Sequence, residues 1–138
     1  MFYHSAMPTK EKIAEYAELL DSETLRPPVV RLLAKCAVTP HLSGFDLLAD
    51  AVMLYSTGDF ANLNEIYDAI AAIRAQSPRT IKRTIGYAVG SSASLPARLE
   101  QESGAKLPAT VSTGCAVAYF SKTLSCNNYT ILSPNKDH

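Results

Sequence analysis

The chain has 138 residues, 47% of them hydrophobic, and its 13 basic and 13 acidic side chains leave no formal net charge. That size and apolar content are enough for a single domain with its own core, without disulfide or metal staples. The neutral balance excludes overall charge as the predictor of a partner. The start of the chain has no signal-peptide pattern, and the most apolar window, 45–55, is short and broken by Asp46 and Asp50; a cytoplasmic protein with no membrane partner is expected. Three cysteines, Cys36, Cys115 and Cys126, include no Cys-x-x-Cys pair, which argues against a disulfide framework and a zinc site. They read as reduced thiols, with Cys36 and Cys115 buried.

The pattern along the chain is helix after helix. A Thr9 cap opens a first helix over 10–20, with Ile13, Tyr16, Ala17 and Leu20 on one face. A Pro27-Pro28 start opens a second, 28–36, directing Val29, Leu32, Leu33 and Cys36 inward. Pro40 interrupts, and Ser43 with Asp46 three residues on resembles a capping pair for a third helix, 44–56, with Leu47, Leu48, Ala51, Val52 and Tyr55 facing the core. Gly58 closes it. Asp59 or Asn62 caps a fourth helix that reaches Arg74 and buries Leu63, Ile66, Tyr67, Ile70 and Ile73.

After a turn of Ala75, Gln76 and Ser77, the fifth helix begins at Pro78 under a Ser77 cap and runs to about 89. A short helix over 95–103 and a last one over 112–124 complete the set, and the polar tail 126–138 reads as flexible. No stretch alternates with period two for long enough to be a strand. The expected architecture is all-α, a bundle of six to seven helices containing a helix-turn-helix. Its divisions are an N-terminal extension with one helix (1–27), an effector-like domain (28–125) and the tail.

The distribution of charge carries more information than its sum. Between Ala69 and Leu99 the chain holds Arg74, Arg79, Lys82, Arg83 and Arg98 and no acid. In the fifth helix, Ile81, Ile85, Ala88 and Val89 form the core side, and Arg79, Lys82, Arg83, Gly86 and Tyr87 the solvent side. The fourth and fifth helices with their short turn match the pairing of helix-turn-helix DNA readers, whose second helix enters the major groove by its N-terminal part. Cations in a first helical turn also oppose the helix dipole, and an anionic partner would explain them. By spacing alone, an ordinary solvated helix face is an equally good account.

Two longer segments resemble a known family. The segment "VTPHLSGFDLLADAV" resembles the Val-Pro-x-His-x-x-Gly-Tyr-x-x-Leu-x-x-Ala-Ile signature of the C-terminal DNA-binding effector domain of the sporulation master response regulator. It matches at His41, Gly44, Phe45, Leu48, Ala51 and Val52. The segment "IYDAIAAIRAQSPRTIKRTIGYAV" is similar, without a gap, to that family's recognition-helix region, matching at Tyr67, Ile70, Ala71, Ser77, Ile81, Arg83, Ile85, Ala88 and Val89. The similarity spans about 32–124.

The resemblance implies a six-helix bacterial transcription factor that binds double-stranded DNA and can act as a dimer on tandem sites. It makes Arg83 a DNA-contacting residue and sets Ser77 near phosphate-binding positions. The chain departs from the family where Gly86 replaces a second arginine, Tyr87 a histidine and Lys82 a glutamate. One lost bidentate arginine removes about 1–3 kcal/mol of base discrimination, so the family's target sequence does not transfer. The residues ahead of the resemblance are too few for the family's phosphoacceptor receiver domain.

The site expected for DNA therefore comprises Ser77, Arg79, Thr80, Lys82, Arg83, Gly86 and Tyr87. Its rival is the same fold repurposed to bind a transcription regulator as a protein partner. No enzyme pattern emerges: His41 has no companion ligand and reads as a loop residue, Cys115 has no His or acid spaced as a base, and neither a cofactor, a metal nor a small-molecule substrate is implied.

Overall fold

The computed structural model describes residues 10–40 and 43–134; the Thr9 cap and His41 lie outside them. Seven helices and no strand occur among the described residues: α1 (Lys10–Leu20), α2 (Arg26–Lys35), α3 (Ser43–Thr57), α4 (Leu63–Arg74), α5 (Pro78–Gly90), α6 (Leu95–Ser103) and α7 (Thr113–Cys126). The all-α expectation holds, and none of these helices is long and apolar enough to cross a membrane.

Local chemistry sets the helix starts. Asn62, Ser77 and Ser112 adopt extended backbone, and each side-chain oxygen accepts the amide hydrogen three residues on, from Glu65, Thr80 and Cys115. This satisfies one of the amides that a helix start leaves without a partner. Ser43, expected as a cap, is itself the first residue of α3. Helix α2 begins at Arg26, two residues before the expected start, because its first turn accommodates both prolines.

Helix α3 is the axis of the molecule. Eleven of its residues are buried, on every side rather than along one stripe, and α2, α4, α5 and α7 all pack against it. The expected inward face was therefore too narrow, and Tyr55, placed in it, is 44% exposed. Against α5 the approach is closest at Gly44: a Cβ there would lie 2.5 Å from the Thr84 carbonyl oxygen and 2.7 Å from the Ala88 Cβ. Only glycine allows α3 and α5 to touch at this depth.

Burying α3 on all sides also buries Asp50, whose side chain has no exposed surface. A solitary carboxylate there would carry a desolvation penalty of several kcal/mol. Two arginines compensate it. Arg26 donates from Nη1 to Oδ1 at 2.8 Å, and Arg74 donates from Nε to Oδ2 and from Nη2 to Oδ1, each at 2.9 Å. Arg26 also donates to the carbonyl oxygens of Leu20 and Asp46, both at 3.1 Å. One buried carboxylate thus joins α2, α3 and α4, and through Arg26 the end of α1.

The chain's two ends close the bundle. In α1, Tyr16 and Leu20 are fully buried, so this helix covers the core instead of standing apart from it. The tail, expected to be flexible, is anchored as far as 134: Ile131 and Ser133 are buried, the Tyr129 hydroxyl donates to the Leu25 carbonyl at 2.9 Å, and Lys12 donates to that of Pro134 at 2.6 Å. Asp59 receives hydroxyl hydrogen bonds from both Tyr16 and Ser133. The signal missed in the tail is Tyr129 and Ile131, two apolar anchors in a polar stretch. Cys36 is buried, and burial pushes its thiol up to about 11, whereas Cys115 is only half-buried and Cys126 exposed.

Removing the carboxylate leaves two guanidinium groups facing a polar void. Asp50→Ala is expected to lower unfolding stability by about 3–5 kcal/mol, measured by urea denaturation followed by circular dichroism. A loss under about 1 kcal/mol would mean that the two arginines simply turn to solvent.

Candidate nucleic-acid interface

Helix α4 ends at Ala75, whose left-handed backbone (φ 57°, ψ 46°) turns the chain sharply while the Gln76 amide donates to the Ala71 carbonyl at 3.0 Å. With Ser77 as cap, α5 starts immediately, and three residues separate the two helices. Ile81, Ile85, Ala88 and Val89 are buried, as the spacing predicts, so the opposite face of α5 is fixed outward.

That face holds Arg79, Lys82 and Arg83, all exposed, and none forms an ion pair among the described residues. With no acid in the first turn of α5, nothing on the helix offsets their charge. They line a groove of about 510 Å³ between α4, α5 and α7, whose remaining walls are Leu63, Asn64, Tyr67, Gly86 and Thr113. Among the described residues the groove lining contains no carboxylate. Tyr67 is buried, and burial raises the pKa of its phenol.

The seven expected residues divide into three groups. Arg79, Lys82, Arg83 and Gly86 share the groove. Ser77 and Thr80 bond each other instead: Ser77 Oγ donates to Thr80 Oγ1 at 2.9 Å and accepts the Thr80 amide at 3.1 Å. Thr80 lies on the other flank of α5, lining a cleft with Asp21, Arg26, Asp46 and Arg74. Tyr87 stands on the outer surface, 66% exposed, and does not line the groove.

Five cations between Ala69 and Leu99 do not make one continuous face. Arg74 is held by Asp50, which raises its already high pKa through their hydrogen bonds, and Arg98 donates from α6 to the Lys35 carbonyl at 3.3 Å. Sequence inspection missed the contribution of α7: Thr113 lies 23 residues beyond the end of α5, and no local pattern marks it as a groove residue.

Gly86 sits in mid-helix, yet an added Cβ would meet only the Thr113 Oγ1, at an ordinary 3.9 Å. Glycine there is required by no internal contact. Gly86→Ala is expected to raise stability by about 0.5–1 kcal/mol through helix propensity, read as an increased melting temperature. Destabilisation by the same substitution would show that α7 presses on α5 at this point.

Comparison with protein-family models, curated proteins and solved structures finds no match to this chain.

Proposed function

We propose that this protein binds double-stranded DNA through α5, as a helix-turn-helix transcription regulator with α4 and α5 as the paired helices. The observation that carries the reading is the set of three cations, Arg79, Lys82 and Arg83, projecting from one helix face into a groove, with neither an ion pair nor an acid in the groove lining among the described residues. Unpaired cations beside a helix start repel one another and oppose the dipole, and a phosphate backbone relieves both. The resemblance of 32–124 to the sporulation effector domain points the same way.

The division of labour follows from geometry and chemistry. Arg83, on the outward stripe, reads a base edge, its forked donors suiting guanine O6 and N7. Arg79 and Lys82 hold phosphates. Tyr87 contacts a thymine methyl or a sugar, and glycines at 86 and 90, where no side chain projects, let the helix approach the base pairs closely. With a single arginine poised for bidentate readout, discrimination per bound subunit is modest, and a pair of sites read by a homodimer raises it.

A second reading, an acidic protein surface in place of DNA, is favoured by Tyr87, a large aromatic 66% exposed beside the cations. The two differ in their dependence on salt and on sequence. For DNA, the two phosphates held by Arg79 and Lys82 give a log–log salt slope of about −2, and Lys82→Ala with Arg83→Ala reduces it to about −1. Fluorescence anisotropy with a labelled duplex across a salt titration measures both. An affinity indifferent to salt, or unchanged in the double variant, would reject the DNA reading.

A further inference from the structure

The groove has a third wall that the recognition helix does not supply. Thr113 opens α7, and its hydroxyl lies beside Gly86, the nearest atom that a side chain at that position would encounter, at 3.9 Å. Asn64, in the first turn of α4, lines the same groove opposite. Leu63 and Gly114 approach one another here, a Cβ at Gly114 being 3.8 Å from Leu63 Cδ2, so the starts of α4 and α7 converge on one side of α5. Lys82 and Arg83 complete the enclosure, and the side chains of Thr113 and Asn64 make no hydrogen bond among the described residues.

We infer that this groove is a phosphate seat: one phosphate of the bound duplex sits between Lys82 and Thr113, so that α7, from outside the paired helices, anchors the strand flanking the bases that α5 reads. The inference rests on the DNA reading above and specifies its contact chemistry. Two features select a phosphate diester over another anion-bearing group. The enclosure offers cationic donors on one wall and neutral hydroxyl and amide donors on the others, the mixture that protein–DNA interfaces use for backbone oxygens. Its position beside the outward stripe of α5 places it next to a groove edge when that stripe faces the base pairs. The seat fixes the depth and angle of α5 and carries no sequence information itself. Loss of Thr113 therefore weakens binding to all duplexes alike.

Charge reversal at the seat separates binding from folding. Glutamate in a first helical turn favours the helix, so Thr113→Glu is expected to fold with an unchanged or higher melting temperature. In the same protein the added carboxylate repels the phosphate and neutralises Lys82, and affinity for a short fluorescein-labelled duplex of mixed sequence at low salt falls roughly 30-fold. Thr113→Val, which removes only the hydroxyl, costs about three- to tenfold. Thr130→Glu adds the same charge at an exposed position outside the groove, and is expected to change affinity by less than about twofold.

Equal binding by Thr113→Glu and Thr130→Glu, with wild-type protein binding tightly, would overturn the seat and leave the DNA reading standing. Wild-type protein that binds no duplex would remove the DNA reading and the seat with it. A loss in Thr113→Val confined to certain sequences would also overturn the seat, because it would make Thr113 a base reader.

Discussion

The structure depends on the neutralisation of Asp50. The central stretch of α3, residues 47–54, is buried on every side, so the charge of Asp50 must be met by donors within the core. Arg26 and Arg74 meet it from opposite helices, with all contacts at 2.8 to 2.9 Å. Such a cluster adds little over apolar residues of equal volume in net stability. Its effect is geometric: it holds the start of α2 and the end of α4 at fixed positions against α3. Arg74 is the last residue of α4, directly before the left-handed Ala75. The turn, and with it the placement of α5, follows from where Asp50 holds that arginine.

The same interaction sorts the cations. Arg74 would extend the basic surface of α5, but it is spent on Asp50, and the flank it occupies also bears Asp21 and Asp46. Across α5 the groove lining has no acid among the described residues, and Arg79, Lys82 and Arg83 there form no ion pair with them. A chain of no net charge thereby gathers three cations along a groove whose described lining holds no acid. Gly44 sets the second constraint on that site, since it lets α5 sink against α3 until Ile81, Ile85 and Ala88 are wholly covered. The helix is then rigid on its inner side and open on its outer side, an arrangement suited to reading a surface.

Most of the fold was legible because its determinants are local. The serine and asparagine caps, the proline-initiated helices and the 3.6-residue spacing of Ile81, Ile85 and Ala88 each act within a few residues, and the boundaries of α1, α5 and α6 agree closely with them. Where expectation and structure differ, the determinant is non-local. Tyr55 falls on the periodic face of α3, but which positions are covered is set by the packed neighbours, which bury 47–54 on every side and leave Tyr55 exposed. The anchored tail depends on Leu25, Asp59 and Lys12, residues remote in the chain. Asp50 looked like an interruption of an apolar window because its partners are 24 residues away on either side. The cations of α5 were visible as a cluster, whereas the groove that gathers them with Asn64 and Thr113 exists only once α4 and α7 have packed.

Selection of bound duplexes from a random-sequence library tests the central claim most directly, because it asks at once whether the protein takes DNA and whether α5 reads it. The account predicts enrichment of a short motif containing a guanine, whose preference at that position relaxes when Arg83 is replaced by alanine. A recovered pool indistinguishable from the starting library, or a motif that Arg83→Ala leaves intact, would contradict it.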